Sequence, residues 1–140
     1  MVIVQRKVIT VGIILVVILS VLGIKYSGYE KNFEETLTAK RETVSKITME
    51  ISGVSKSTTN ETKIDELFEH FGKYEYKRMR GDKTAYMPTK AYIIYLHEGN
   101  YIDFVVPYND EAMISYKVYK VRNGNITDKF LTSFYNSLED

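Results

Sequence analysis

The sequence predicts an α+β fold, in which an N-terminal transmembrane helix is followed by a mostly antiparallel sheet and two amphipathic helices. Three observations lead to this prediction: an uncharged N-terminal stretch, several short stretches of alternating polarity, and two stretches with apolar residues at helical spacing. Because short turns join the predicted strands, neighbouring strands should be antiparallel, and about four to six strands fit the pattern. The two helices must bury their apolar stripes against this sheet.

The length of 140 residues suits one domain, and the composition excludes several kinds of site. The chain has no cysteine, which excludes disulfides, thiolate metal sites, a cysteine nucleophile and a lipidated cysteine. Arg6 and Lys7 are the only basic residues before Lys25, and all 18 acidic residues follow it, so the domain is close to neutral. A near-neutral domain lacks the field that attracts a polyanion, and no nucleic-acid partner is expected.

The stretch Val8–Ile24, VITVGIILVVILSVLGI, carries no charged residue and is predicted to contact the lipid bilayer as a transmembrane helix. At about 1.5 Å per residue it spans roughly 25 Å, which is the short end of a membrane span. A cleaved signal peptide and the buried core helix of a soluble protein are the alternatives, although the chain has no A-x-A cleavage site. A lipoprotein signal is excluded because Ile24 stands where the acylated cysteine would be.

The charges around this stretch predict its orientation and the division of the chain. Arg6 and Lys7 favour a cytoplasmic N-terminus, whereas Lys25 and the basic residues after it favour the opposite direction. We expect a cytoplasmic tail at 1–7, a transmembrane anchor at 8–25, a juxtamembrane helix or stalk at 26–43 and an α+β domain at 44–140. The expected location is the cell membrane, crossed once, with the domain outside.

Alternating and helical patterns predict the elements of the first half of the domain. Val44–Ser52 alternates as a half-buried strand, Val54–Thr59 is a short return strand, and Tyr74–Arg80 is a third strand. Between the second and third strands lies a helix with Asn60 or Thr58 as its N-cap. Its apolar stripe consists of Ile64, Leu67, Phe68 and Phe71.

The clearest hairpin in the chain consists of Ala91–His97 and Tyr101–Val106, which are joined by a turn around Gly99. Large apolar side chains occupy both faces of both strands. Such a hairpin belongs in the centre of a sheet with something covering each side, or one of its faces meets a partner.

The C-terminal part predicts a turn, one long strand and one helix. The turn is at Pro107–Glu111, and Ala112–Val121 is a single strand in which Ile114, Tyr116 and Val118 alternate. The helix is capped by Thr127 or Asp128, and its apolar stripe consists of Phe130, Leu131, Phe134 and Leu138.

A candidate binding surface combines a basic stretch with nearby tyrosines. In Lys73–Lys83, KYEYKRMRGDK, five basic residues are interleaved with two tyrosines. Tyrosine is also enriched at protein interfaces. The alternative interpretation is an edge strand that lysine and arginine protect from further pairing, with half-buried core tyrosines beside it. The predicted surface comprises Lys73, Tyr74, Tyr76, Lys77, Arg78, Arg80, Tyr92, Tyr95 and Tyr101.

Catalytic patterns are absent from the sequence, which contains no HExxH, GxSxG, SxxK or glycine-rich phosphate loop. No catalytic residue, metal ligand or cofactor is therefore predicted, and an enzyme is not expected. A tethered metal-dependent hydrolase is the alternative, and it would use His70 and His97 with a carboxylate.

Four segments carry a resemblance to a known class of protein: VSKITMEIS, TKIDELFEHF, AYIIYLHEGNYIDFVV and YKVYKVRNGNITDKFLTSFY. Together with the apolar N-terminal stretch, this layout resembles the small membrane-anchored or lipid-anchored extracytoplasmic domains of low-GC Gram-positive bacteria. Many of these belong to families of unknown function, and the resemblance implies no catalytic residue.

The expected function is that of a single-pass membrane-anchored extracytoplasmic binding module. Its partner would be a protein, a peptide or a wall polymer. An immunity or inhibitor protein that intercepts a toxin near the bilayer is one version of this hypothesis. An accessory subunit of a membrane complex is the other.

Overall fold

A computed structural model of the chain describes residues 2–28, 30–79 and 91–139. The first element, α1 (Val2–Gly28), begins before the predicted anchor, so residues 2–7 of the predicted tail are helical. Its Val2–Gly23 part is long and apolar enough to cross a membrane, a property that it shares with signal sequences. The Thr10 and Ser20 hydroxyls donate to the carbonyl oxygens of Arg6 and Val16, both at 2.8 Å, which satisfies them inside the helix.

The described residues after α1 form one antiparallel sheet of eight strands, which confirms the α+β class with more strands than predicted. The strands are β1 (Glu30–Lys31), β2 (Lys46–Ile51), β3 (Val54–Thr58), β4 (Glu75–Arg78), β5 (Tyr92–Glu98), β6 (Tyr101–Tyr108), β7 (Glu111–Ile114) and β8 (Lys117–Arg122). Their order across the sheet is β1-β4-β8-β7-β6-β5-β2-β3, and every neighbouring pair is antiparallel.

The prediction of one long strand over Ala112–Val121 is wrong, because a two-residue turn divides it into β7 and β8. Ile114 pairs with Lys117, and Ser115 and Tyr116 between them have φ values of 47° and 68°. Such turns usually contain asparagine and glycine, which tolerate positive φ. Nothing in the Ser-Tyr pair indicates a turn, so the alternating pattern conceals it.

The structure also differs from the predicted stalk at 26–43. This part of the chain contains β1, a short helix α2 (Phe33–Thr36) and a 3₁₀ turn at Arg41–Thr43. Phe33 and Ala39 are buried in the core, and the Phe33 ring lies 5.0 Å from that of Phe71. The folded domain therefore begins at Glu30, although the charged residues around Phe33 are typical of a solvated segment.

Both predicted amphipathic helices are present, as α3 (Glu61–Gly72) and α4 (Asp128–Ser137). The Asn60 side chain caps α3 by accepting from the Thr62 backbone N–H at 2.9 Å, and the Thr127 hydroxyl caps α4 by accepting from that of Phe130 at 3.3 Å. Each helix carries its buried residues on one stripe, as the spacing predicts.

The buried side chains of α2, α3 and α4 belong to one core cluster with one face of the sheet, which we call the covered face. The covered face contributes Ile47 and Met49 from β2, Ile94 and Leu96 from β5, Val105 from β6, Ile114 from β7, Tyr119 and Val121 from β8 and Tyr76 from β4. Because strand residues alternate between faces, the remaining side chains of the same strands point to the opposite side.

Candidate functional site on the open face of the sheet

The opposite side of the sheet, which we call the open face, carries large apolar residues in its central strands. Its members are Ile93 and Tyr95 of β5, Ile102, Phe104 and Val106 of β6, Met113 of β7 and Val118 of β8. Val106 pairs with Met113, and Met113 pairs with Val118, so this set forms a continuous row across neighbouring strands. The helices α2, α3 and α4 bury their apolar residues against the other face.

Exposure on the open face increases toward the β7–β8 turn. Val106 is buried but lies outside the core cluster, and Tyr95, Phe104 and Met113 are half-buried. Ile102 is 48% exposed. Tyr116 in the turn is 85% exposed, and its ring meets that of Phe104 edge to face at 4.7 Å. A contiguous exposed set of large apolar side chains is characteristic of an interaction site.

A polar group lies beside these residues, centred on His97 of β5. The Nε2 atom of His97 is 3.0 Å from the Thr48 hydroxyl, which is 2.9 Å from the Ser57 hydroxyl. Burial lowers the pKa of His97, and the positive charge of Lys46 lowers it further. The ring is therefore neutral at pH 7. It adds an uncharged hydrogen-bonding group next to the apolar residues of the open face.

The sheet places the predicted binding residues in several different environments. Tyr76 is fully buried on the covered face, where its hydroxyl donates to the Phe71 carbonyl at 2.8 Å and burial raises its pKa. Tyr76 therefore cannot contribute to an exposed surface, and its place in the predicted set is wrong. The Tyr92 hydroxyl is 2.8 Å from that of Thr132, and the Tyr74 hydroxyl donates to Asn125 at 3.1 Å, so both join elements of the domain.

The basic residues of the predicted surface do not form one patch. Lys77 and Arg78 are neighbours in β4, so their side chains point to opposite faces. The Arg78 guanidinium donates to the carbonyl oxygens of Met79 and Val118 at 2.9 and 3.1 Å, which uses it within the domain. Lys73 is exposed at the end of α3, and Arg80 lies outside the described residues.

Of the predicted hairpin tyrosines, Tyr95 lies on the open face and Tyr101 lies on the covered side, with its hydroxyl 3.1 Å from that of Thr38. The prediction omitted Ile102, Phe104 and Tyr116, which contribute most to the open face. One sequence feature indicated them, namely a hairpin with large apolar residues on both of its faces. Tyrosine content and positive charge do not identify Ile102 and Phe104, because neither residue has these properties.

The two histidines of the alternative hydrolase hypothesis lie on opposite sides of the sheet. His70 belongs to α3 on the covered side, where its ring stacks on Phe130 with 3.4 Å between centroids. His97 points to the open side with Thr48. Zinc–nitrogen bonds of about 2 Å cannot reach both rings through the sheet. Within residues 2–28, 30–79 and 91–139 there is no group of three or more His, Cys, Asp or Glu that could hold a metal ion.

Asp103 is the one fully buried carboxylate in the described part of the chain, and it is held by hydrogen bonds. Its Oδ2 atom accepts from the backbone N–H groups of Thr38 and Ala39 at 3.0 and 2.8 Å. Its Oδ1 atom accepts from the Ser115 hydroxyl at 2.7 Å. Asp103 thus fixes both the segment before β2 and the β7–β8 turn, which is a structural role.

Searches for similar proteins among protein-family models, curated proteins and solved structures find no match for this chain. The bacterial resemblance of its layout therefore stays a prediction.

Proposed function

We propose that this chain is a single-pass membrane-anchored binding module whose domain lies outside the cytoplasm and binds a protein or peptide on its open face. One observation carries the proposal: the central strands are apolar on both faces, and the described helices α2, α3 and α4 all pack on one of them. Burying a large apolar side chain that was exposed contributes roughly 1.5–3 kcal/mol, so a few such residues supply appreciable affinity.

The composition of the open face favours a polypeptide partner over a wall polymer. A polysaccharide presents many hydroxyl groups, which need polar partners to replace water. Ile102, Phe104 and Met113 offer no hydrogen bond through their side chains, whereas they suit the apolar side chains of a protein. The neutral His97 and the Thr48 hydroxyl supply a polar margin to such a contact.

The anchor α1 defines where the partner is found. A tether converts binding to a neighbouring membrane protein into a reaction at high effective concentration, so a modest contact surface is sufficient. An inhibitor of a toxin that acts at the bilayer and an accessory subunit of a membrane complex both meet this condition. Arg6 and Lys7 at the start of α1 favour a cytoplasmic N-terminus and therefore an external domain.

Site-specific photocrosslinking in native membranes tests the binding face. A photoreactive residue at Ile102 on the open face should form an adduct with one membrane protein. The matched control carries the same residue at Lys129, which is exposed on α4 at the opposite side. Equal adducts from both positions, or none from Ile102, would contradict the proposal.

Protease treatment of intact cells tests the location of the domain. An external domain should be digested while the cytoplasmic proteins stay intact. Full protection in intact cells, with digestion after lysis, would reverse the proposed orientation.

A further inference from the structure

The backbone conformation of the β7–β8 turn is unfavourable for Tyr116, the second of its two residues. Ser115 and Tyr116 have φ values of 47° and 68°, and the β2–β3 turn, Ser52–Gly53, has nearly the same geometry at 51° and 80°. Glycine adopts positive φ without steric cost, whereas a bulky residue there is strained. The chain thus uses the favoured residue in one turn and a tyrosine in the equivalent position of the other.

The Tyr116 side chain makes little contact within the domain that would offset this strain. The Tyr116 side chain is 85% exposed, and its ring contact within the domain is with Phe104, edge to face. Strained residues that persist without burial are concentrated at functional sites. The exposed ring therefore indicates a contact outside the domain.

The pairing of the strands places this turn at the end of the sheet where α1 connects. In β1, Glu30 pairs with Lys77 and Lys31 with Tyr76, so the chain arrives from the Arg78 end of β4. Lys77 of β4 pairs with Lys120 of β8. From there β8 continues past the Arg78 end of β4 to Lys117 and the turn. Since β1, β4 and β8 are consecutive, β8 lies about 10 Å to the side of β1.

The lengths of these segments bring Tyr116 to the level of the helix end. From Lys120 to Lys117 the strand advances roughly 10 Å toward the α1 side, at about 3.3 Å per residue, and Tyr116 follows in the turn. Glu30 follows Gly28, the last residue of α1, by two residues, which span at most about 7 Å. If α1 points away from this end of the sheet, the membrane lies beyond that end. Tyr116 then reaches at least as far toward the membrane as the last residue of α1.

We propose that the β7–β8 turn inserts Tyr116 into the headgroup layer of the bilayer that α1 spans. The inference rests on the proposed function, because it requires a retained anchor. The lipid interface is the occupant that the tether brings nearest. Tyrosine suits it, since the ring is apolar and the hydroxyl stays hydrated.

A fluorophore next to the turn tests this contact while Tyr116 is retained. The chain has no cysteine, so Lys117→Cys gives one labelling site directly after Tyr116. The matched control is Val54→Cys, because Val54 is exposed and follows Gly53 as Lys117 follows Tyr116. The full-length proteins are placed in phosphatidylcholine vesicles at less than one protein per vesicle, with iodide on both sides of the bilayer.

We expect iodide to quench the label at position 117 several-fold less than the label at position 54. Lipids brominated near the headgroup should quench only the label at 117. The protection should disappear in the Tyr116→Gly background, since glycine relieves the strain and removes the ring.

Three results would overturn the inference. Equal iodide quenching at positions 117 and 54 would exclude insertion, and unchanged protection in the Tyr116→Gly background would exclude Tyr116 as its cause. Protection at 117 in native membranes but not in lipid vesicles would assign the turn to a protein partner. Flotation of the protein with the vesicles reports the anchor separately, and a protein that fails to float would refute both the anchor and the inference.

Discussion

The covered and open faces of the sheet come from the same alternating strands, yet they differ in what their apolar residues contact. Ile94 on the covered face is fully buried among helices, whereas Ile102 on the open face is 48% exposed. The covered face also contains Asp103, whose carboxylate is completely hydrogen-bonded within the domain. The comparison teaches that α2, α3 and α4 bury the apolar residues of one face, while Ile102 on the other stays exposed within the described part of the domain.

The largest expected effect is on the covered face, at Asp103. Asp103→Ala leaves the buried backbone N–H of Ala39 and the part-buried one of Thr38 without an acceptor, and a buried loss of this kind costs about 1–3 kcal/mol. We expect the free energy of unfolding to fall by roughly 3–5 kcal/mol, measured by denaturant titration of the full-length protein in micelles. Asp103→Asn keeps one acceptor oxygen and should lose less. A loss below about 1 kcal/mol for the alanine variant would show that the carboxylate does not hold this segment.

A matched pair of isoleucines measures the difference between the faces directly. Ile94→Ala removes a fully buried side chain and should cost about 2–5 kcal/mol, because it opens a cavity in the core. Ile102→Ala should change the free energy of unfolding by no more than about 0.5 kcal/mol, because its side chain is half exposed. Ile102→Ala should nevertheless abolish the adduct that a photoreactive residue at Tyr95, also on the open face, forms with the partner. Similar unfolding energies for the two variants would remove the distinction between the faces.

The pH dependence of stability should originate mainly on the covered side, at His70. Its Nε2 atom is buried without a hydrogen-bond partner, and burial lowers its pKa, with Lys73 lowering it further and Glu66 opposing the shift. The unfolded chain therefore binds a proton more readily than the folded one. Stability is complete above the ordinary pKa of about 6.5 and falls as the pH decreases below it.

Denaturant titration of the unmodified chain should show the free energy of unfolding falling between pH 7.5 and 5. This fall should be smaller in His70→Phe, because phenylalanine can stack on Phe130 but does not titrate. The matched variant on the open face is His97→Phe. The pKa of His97 is also lowered by burial, so its removal tests how much of the pH dependence each face carries. An unchanged slope in His70→Phe would show that other groups cause it.

The helices and most strands could be predicted because their causes are local. Asn60 and Thr127 cap helices whose apolar stripes follow at the right spacing, and Ile47 and Met49 alternate with polar residues. The structure of the segment before β2 is harder to predict. Phe33 and a few apolar neighbours determine how this segment packs, whereas charged residues dominate its composition. Burial against distant residues decided this case, and no local pattern contains that information.

The candidate site was only partly predictable for the same reason. The hairpin's two apolar faces indicated an additional contact, but the sequence could not say which face the helices would cover. Tyr76 looks like Tyr95 in sequence, yet strand pairing buries the first and places the second on the open face. The Ser115–Tyr116 turn cannot be recognised from the sequence, because its residues are not the ones that such turns favour.

The smallest expected effect compares the two equivalent turns, Ser52–Gly53 and Ser115–Tyr116. Tyr116→Gly relieves a strained φ of 68° and loses an edge contact of a mostly exposed ring, so the free energy of unfolding should rise by about 0.5–1 kcal/mol. The reciprocal variant, Gly53→Tyr, should lower it by about 1 kcal/mol, because the same strain is introduced. Both changes are measured by denaturant titration in micelles, away from a bilayer. A destabilised Tyr116→Gly would contradict this expectation and would mean that the tyrosine ring stabilises the protein, through its packing on Phe104 or through the micelle surface.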